Sequence, residues 1–141
     1  MLRTQHFPAL LLAVITMLGV VACDGNSGGP TAPTIVNESA SVSLNTPNGA
    51  EGAVLVRLVG PGYSNIQPAN SGYRIFWRRQ SEEEVRVLVV GSIAPGPLFT
   101  ADVSRSSRGT YTAALVEVAA RDDAMRESVA GYSVEMSFAP R

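Results

Sequence analysis

Tyr132-Ser133-Val134-Glu135-Met136-Ser137-Phe138 alternates without a fault between an apolar or aromatic residue and a polar one. Successive side chains of a strand leave on opposite faces. The stretch therefore reads as a strand with Tyr132, Val134, Met136 and Phe138 on a dry face and a wet face opposite. Working outward from it, residues 122–127 suit one helical turn capped by Asp122 or Asp123. Residues 111–121 carry mixed signals: two alanine pairs suit a helix, whereas Thr110, Thr112, Val116 and Val118 favour a strand. Its neighbours are strands, so a strand is expected there too. Residues 98–103, 85–90, 73–79 and 53–59 are further short apolar or alternating runs, and Val42 and Leu44 alternate with Ser41 and Ser43. Turn chemistry separates them at Pro47-Asn48-Gly49, Gly60-Pro61-Gly62, residues 81–84, 91–97 and 104–109. Residues 63–72 look polar and irregular. Short strands at roughly ten-residue spacing predict an all-β fold, an antiparallel β-sandwich.

In strand order, residues 53–59, 85–103 and 114–121 resemble the cohesin-like sandwiches of bacterial surface proteins. In those, a strand such as 85–90 leads through a Pro/Gly break to one like 98–103, and a later strand runs into an acidic turn like Asp122-Asp123. The sandwich is thus expected to be cohesin-like or immunoglobulin-like. The resemblance implies a non-catalytic binding or scaffolding module.

The other end of the chain has a different character. Arg3 is followed by an uncharged apolar run from Ala9 to Val21, the length of a signal-peptide core and shorter than the roughly 20 apolar residues a transmembrane helix needs. Val20-Val21-Ala22-Cys23 resembles the lipobox of bacterial lipoproteins, with Val20 where leucine is commonest. The resemblance implies acylation of Cys23 and cleavage after Ala22. Cys23 is the only cysteine, so it has no intrachain partner for a disulfide. Stable anchoring takes more than one acyl chain, and lipoproteins of this kind carry two or three. The expected layout is a signal peptide over residues 1–22, lipidated Cys23 with a Gly/Ser/Pro/Thr linker over 23–35, and a β-sandwich over 36–141. The expected address is the bacterial cell envelope, with the domain tethered to a membrane.

Composition narrows the chemistry. From Cys23 onward the chain holds ten Arg against twelve Asp and Glu, a formal charge of −2, which argues against nucleic acid as a partner. There is no lysine, and the single histidine, His6, lies in the signal. Serine and cysteine nucleophiles that rely on His or Lys as base are thereby excluded from the exported domain, as are His/Cys zinc sites. No enzyme activity, cofactor or metal is expected. Asp122, Asp123 and Glu127 lack the ligand spacing of a calcium loop.

Tyr73, Phe76 and Trp77 sit beside Arg74, Arg78 and Arg79. Alternation sends Ile75 and Trp77 into the core and Arg74 and Arg78 to water. Pairing Trp77 with Val87 keeps both inward and sets Arg78 opposite Arg86, with Glu82, Glu83 and Glu84 near enough to offset the like charges. A shift of one residue would reverse every side. The competing reading makes Tyr73 and Trp77, with Arg74, Arg78 and Arg86, a binding surface for a glycan or an envelope protein. Exposure of Trp77 decides between them. Two alternatives from other classes stand beside the binding module: a carboxylate-dependent glycan hydrolase using two of Asp102, Glu117 and Glu135, and a purely structural envelope protein.

Overall fold

Val54, Val56 and Leu58 pair across strands with Val89, Val87 and Val85, and all six are fully buried. β-Branched side chains are stiff and pack well on a pleated surface, so these rows form one wall of the core. A computed structural model describes residues 36–139. They form β1 (Asn37–Asn45), β2 (Glu51–Val59), β3 (Ser64–Pro68), β4 (Arg74–Arg79), β5 (Glu84–Ile93), β6 (Gly96–Ser104), β7 (Thr112–Ala119) and β8 (Ser133–Phe138), with a 3-10 helix over Arg105–Thr110. The signal, Cys23 and the whole linker expected from the sequence lie outside the described residues.

The strands make two four-stranded antiparallel sheets packed face to face, ordered β3-β6-β1-β8 and β4-β5-β2-β7. The all-β sandwich expected from the sequence is the observed fold. Ala40, Val42, Phe99, Ala101 and Val103 supply the opposite wall of the core. Among the described residues, every connection passes from one sheet to the other except the β4–β5 hairpin. The last strand behaves as its alternation demands: Val134, Met136 and Phe138 pack on the core, and Ser133, Glu135 and Ser137 are exposed.

Three local expectations are corrected. Residues 63–72 contain a strand, β3, which buries only Ile66 and pairs irregularly with β6. Its polar composition hid it. Residues 122–127 form no helical turn. Instead Met125 bridges to Ala119, and the Arg126 N–H donates to the Val118 carbonyl, folding this segment along the edge of β7. Residues 105–110, read as loop, form the 3-10 helix, held by Arg108, whose guanidinium makes a two-pronged contact with buried Glu38 at 2.8 and 2.9 Å.

Candidate functional site

β4 is an edge strand, and its register with β5 is the one the like-charge argument considered: Trp77 opposite Val87 and Arg78 opposite Arg86. The outer face of this sheet can be followed row by row. Arg78, Arg86 and Arg57 stand side by side across β4, β5 and β2. The next row is Phe76, Leu88, Leu55 and Glu117, and the row after it is Arg74, Val90, Ala53 and Ala119. Arginines therefore flank an apolar strip. Glu84 lies between two of them, 3.6 Å from Arg57 and 3.3 Å from Arg86. Arg78 makes no ion pair among the described residues.

Phe76 is 59% exposed at one end of the strip and Met125 is 57% exposed at the other. Ala53, Leu55, Leu88, Ala119 and Met125 line a shallow depression of about 190 Å³. That is below the 300–1,000 Å³ typical of small-molecule pockets, so the surface suits docking more than engulfment. The strip has a sequence origin. Residues 53–59 are apolar at nearly every position rather than at alternate ones, so β2 must present Ala53, Leu55 and Val59 outward while burying Val54, Val56 and Leu58. That run is the sequence signal for an outward Leu55.

The expected burial of Trp77 is overturned: the side chain is 49% exposed. Its inward parity is as expected, because its partner Val87 is fully buried. What is missing is cover. The facing sheet ends in β3, only five residues long and irregular, so the inner side of β4 overhangs the rim of the sandwich. Arg79, of the same parity, turns aside and donates to the Tyr63 and Glu82 carbonyls at 2.9 and 3.3 Å.

The five residues named from sequence therefore divide three ways. Arg74, Arg78 and Arg86 are exposed and share the outer face with Phe76. Trp77 projects from the opposite side of the same strand. Tyr73 is half-buried against the core, its hydroxyl accepting from the Ala94 N–H at 3.3 Å, and serves the fold.

The carboxylates do not gather. Glu117 lies on the outer face of one sheet, while Asp102 and Glu135 lie on the other sheet, opposite Ser39 and Ser43 of β1. Four residues along a strand are about 13 Å, beyond the separation of a glycosidase pair. Asp102 accepts from the Asn65 side-chain amide at 3.1 Å. No cluster of three or more His, Cys, Asp or Glu occurs among the described residues.

The most buried carboxylate among the described residues is Glu51, 0% exposed at the start of β2. It accepts from Tyr132 at 2.6 Å, Thr46 at 3.2 Å and Arg126 at 3.0 Å. Burial works to raise its pKa, but the hydrogen bonds from Tyr132, Arg126 and Thr46 and the Arg126 charge outweigh that and hold the carboxyl below its ordinary value. Every polar atom here is satisfied, so the group is a structural clamp.

No protein-family model, curated protein or solved structure matches this chain.

Proposed function

We propose that the chain is a lipoprotein of a bacterial cell envelope, held to the membrane through Cys23, whose sandwich is a non-catalytic binding module. The lipobox-like Val20-Val21-Ala22-Cys23 after an uncharged apolar run supports the anchor. The observation that carries the binding half is the outer face of the β4-β5-β2-β7 sheet, where exposed Phe76 and half-buried Leu88 and Leu55 lie beside the Arg78–Arg86–Arg57 row. Glu84 offsets Arg57 and Arg86, but Arg78 stands opposite Arg86 with no acid of its own among the described residues, and exposed apolar side chains gain nothing from water. An anionic partner with apolar groups relieves both.

Two measurements test this. Cys23→Ala should move the chain from the membrane to the soluble fraction; continued membrane attachment would overturn the anchor. A photoreactive side chain at Phe76 should give discrete adducts with envelope material, lost in Arg86→Glu. The same probe at Ser137, on the outer face of the other sheet, should give none. Equal labelling from both positions would leave the purely structural reading in place of the binding one.

A further inference from the structure

We infer that the free edge of β4 takes an extended segment of another protein as an added strand, with acidic residues opposite Arg74 and Arg78 and apolar ones between them. The inference rests on the binding-module reading and specifies its partner.

The backbone of β4 is available. The Gln80 N–H donates to the Glu84 carbonyl, and the Tyr73 N–H turns away from β5 to the Asn70 carbonyl. Antiparallel ladders alternate, so these two ends fix the parity between them. Arg74, Phe76 and Arg78 spend their backbone groups on β5. Ile75, Trp77 and Arg79 direct theirs to the open side, where the described residues supply no strand.

The side chains select the occupant. An added strand would meet Arg74, Phe76 and Arg78 on the outer face and Ile75 and Trp77 on the inner one. The complementary pattern is acid, apolar, apolar, apolar, acid, which reads the same in either chain direction. Its apolar positions would cover Phe76 and the half-exposed Trp77, and its acids would give Arg78 the counter-charge it lacks. A second copy of this chain is a poor occupant. Antiparallel β4–β4 pairing centred on Phe76 sets Arg74 opposite Arg78 twice, and like charges directly opposed are destabilising; centred on Trp77 it sets Arg78 opposite Phe76 and Arg74 opposite Gln80, so neither register gives these arginines an acid.

Edge strands are often guarded by charge. Here the guard is one-sided. An inward-pointing charge is the guard that acts on the other face, and β4 lacks a free one: its inward positions are Ile75 and Trp77, and inward Arg79 is tied back to carbonyls. The other edges offer less. β3 is short and irregular, with Asn65 at positive φ and Pro68 at its end. Residues 120–126 fold along β7. β8 exposes only Ser133, Glu135 and Ser137.

The test uses the full chain in detergent micelles and a synthetic peptide, Gly-Ser-Glu-Val-Ile-Val-Glu-Ser-Gly, with a control carrying Lys for both Glu. Binding of the acidic peptide should slow amide exchange at Ile75, Trp77 and Arg79 by about tenfold or more, with the lysine control at least about tenfold weaker. Trp77→Val keeps the amide and should keep measurable binding. Trp77→Pro removes it from the open side, where proline is tolerated, and should abolish binding. Exchange in the unsubstituted chain decides the matter even if Trp77→Pro does not fold. Binding with no protection at those three amides, or equal binding of the lysine peptide, would overturn strand addition. So would the absence of binding, which would make the arginines an edge guard only. If Phe76 adducts with envelope material persist in any of those cases, the binding-module reading survives and only its strand-adding form is lost.

Discussion

The Tyr132 hydroxyl donates to Glu51 Oε1 at 2.6 Å, joining the residue just before β8 to the first residue of β2 across 81 positions of sequence. The same hydroxyl accepts from the Asn48 side chain at 2.6 Å, so one phenol ties together the β1–β2 turn, β2 and the entry to the last strand. Tyr132→Phe keeps the ring and removes both bonds. Hydrogen bonds to charged groups contribute about 1.5–3 kcal/mol, so the variant should lose about 2 kcal/mol in urea unfolding with an unchanged m-value. A loss under about 0.5 kcal/mol would show that water replaces the phenol.

Acid should act on this protein through Glu51. Its pKa is lower folded than its ordinary 4.5, so the native state holds this proton less tightly than the unfolded chain does. The contribution is complete above the unfolded value and is lost as pH falls through the folded one. Unfolding midpoints against pH should therefore drop on the acid side below about 4.5. Glu51→Gln should flatten that limb and be less stable at neutral pH, where the charged contact with Arg126 is missing. An unchanged acid limb would assign it to other carboxylates.

Gly60 follows β2 at φ 139°, with the ring of Tyr111 lying directly over the place a Cβ would occupy. Tyr111 is held there by its hydroxyl, which donates to the Pro61 carbonyl at 2.8 Å and accepts from the Ser104 N–H at 3.0 Å. Gly60→Ala meets a disfavoured backbone and a packed ring together, so a loss of about 3 kcal/mol is expected. Thermal and urea melts read it directly. A near-neutral result would mean the ring can leave its place.

Arg78 faces Arg86 across the hairpin with no acid of its own among the described residues. Arg78→Glu turns a repulsive cross-strand pair into an attractive one and should raise stability by up to about 1 kcal/mol. On the reading proposed above, the same change should weaken capture of an acidic strand. Stability up with binding down identifies a residue kept for recognition. Lower stability would instead mean that Arg78 packs in a way the pair geometry does not convey.

Much of the sandwich was legible because period-two patterning is a local property. Residues 132–138 determine the inner and outer sides of β8, and inward parity favours the Trp77–Val87 register although that register sets Arg78 against Arg86. The exposure of Trp77 was not legible. Parity says which side a residue takes, but whether the facing sheet reaches that far depends on the length of β3, a strand with one buried residue and no alternation to announce it. The Glu51 clamp was hidden for another reason: Arg126 falls in a stretch that reads as a capped helical turn and Tyr132 in one that reads as the dry face of a strand, and only the chain's path brings both to β2. The outer apolar strip could have been read from residues 53–59, since a strand apolar at nearly every position has hydrophobic groups to spare for its second face.

Because the described chain changes sheets at every connection but one, no two consecutive strands except β4 and β5 are ladder partners. Loop-closure entropy must be overcome before the other pairs repay it, which makes for a slow search. The exception is residues 74–93, where β4 and β5 are joined by a four-residue turn and can zip up on the microsecond scale of a hairpin. The ribbon bearing Phe76, Trp77 and the arginines would then be the earliest ordered part of a nascent chain, with its outermost strand unmatched from the start. Arg74 and Arg78 on that outermost strand would disfavour the edge-to-edge registers of neighbouring copies that set them against each other, so the charges that choose a partner at maturity would also limit self-association in infancy.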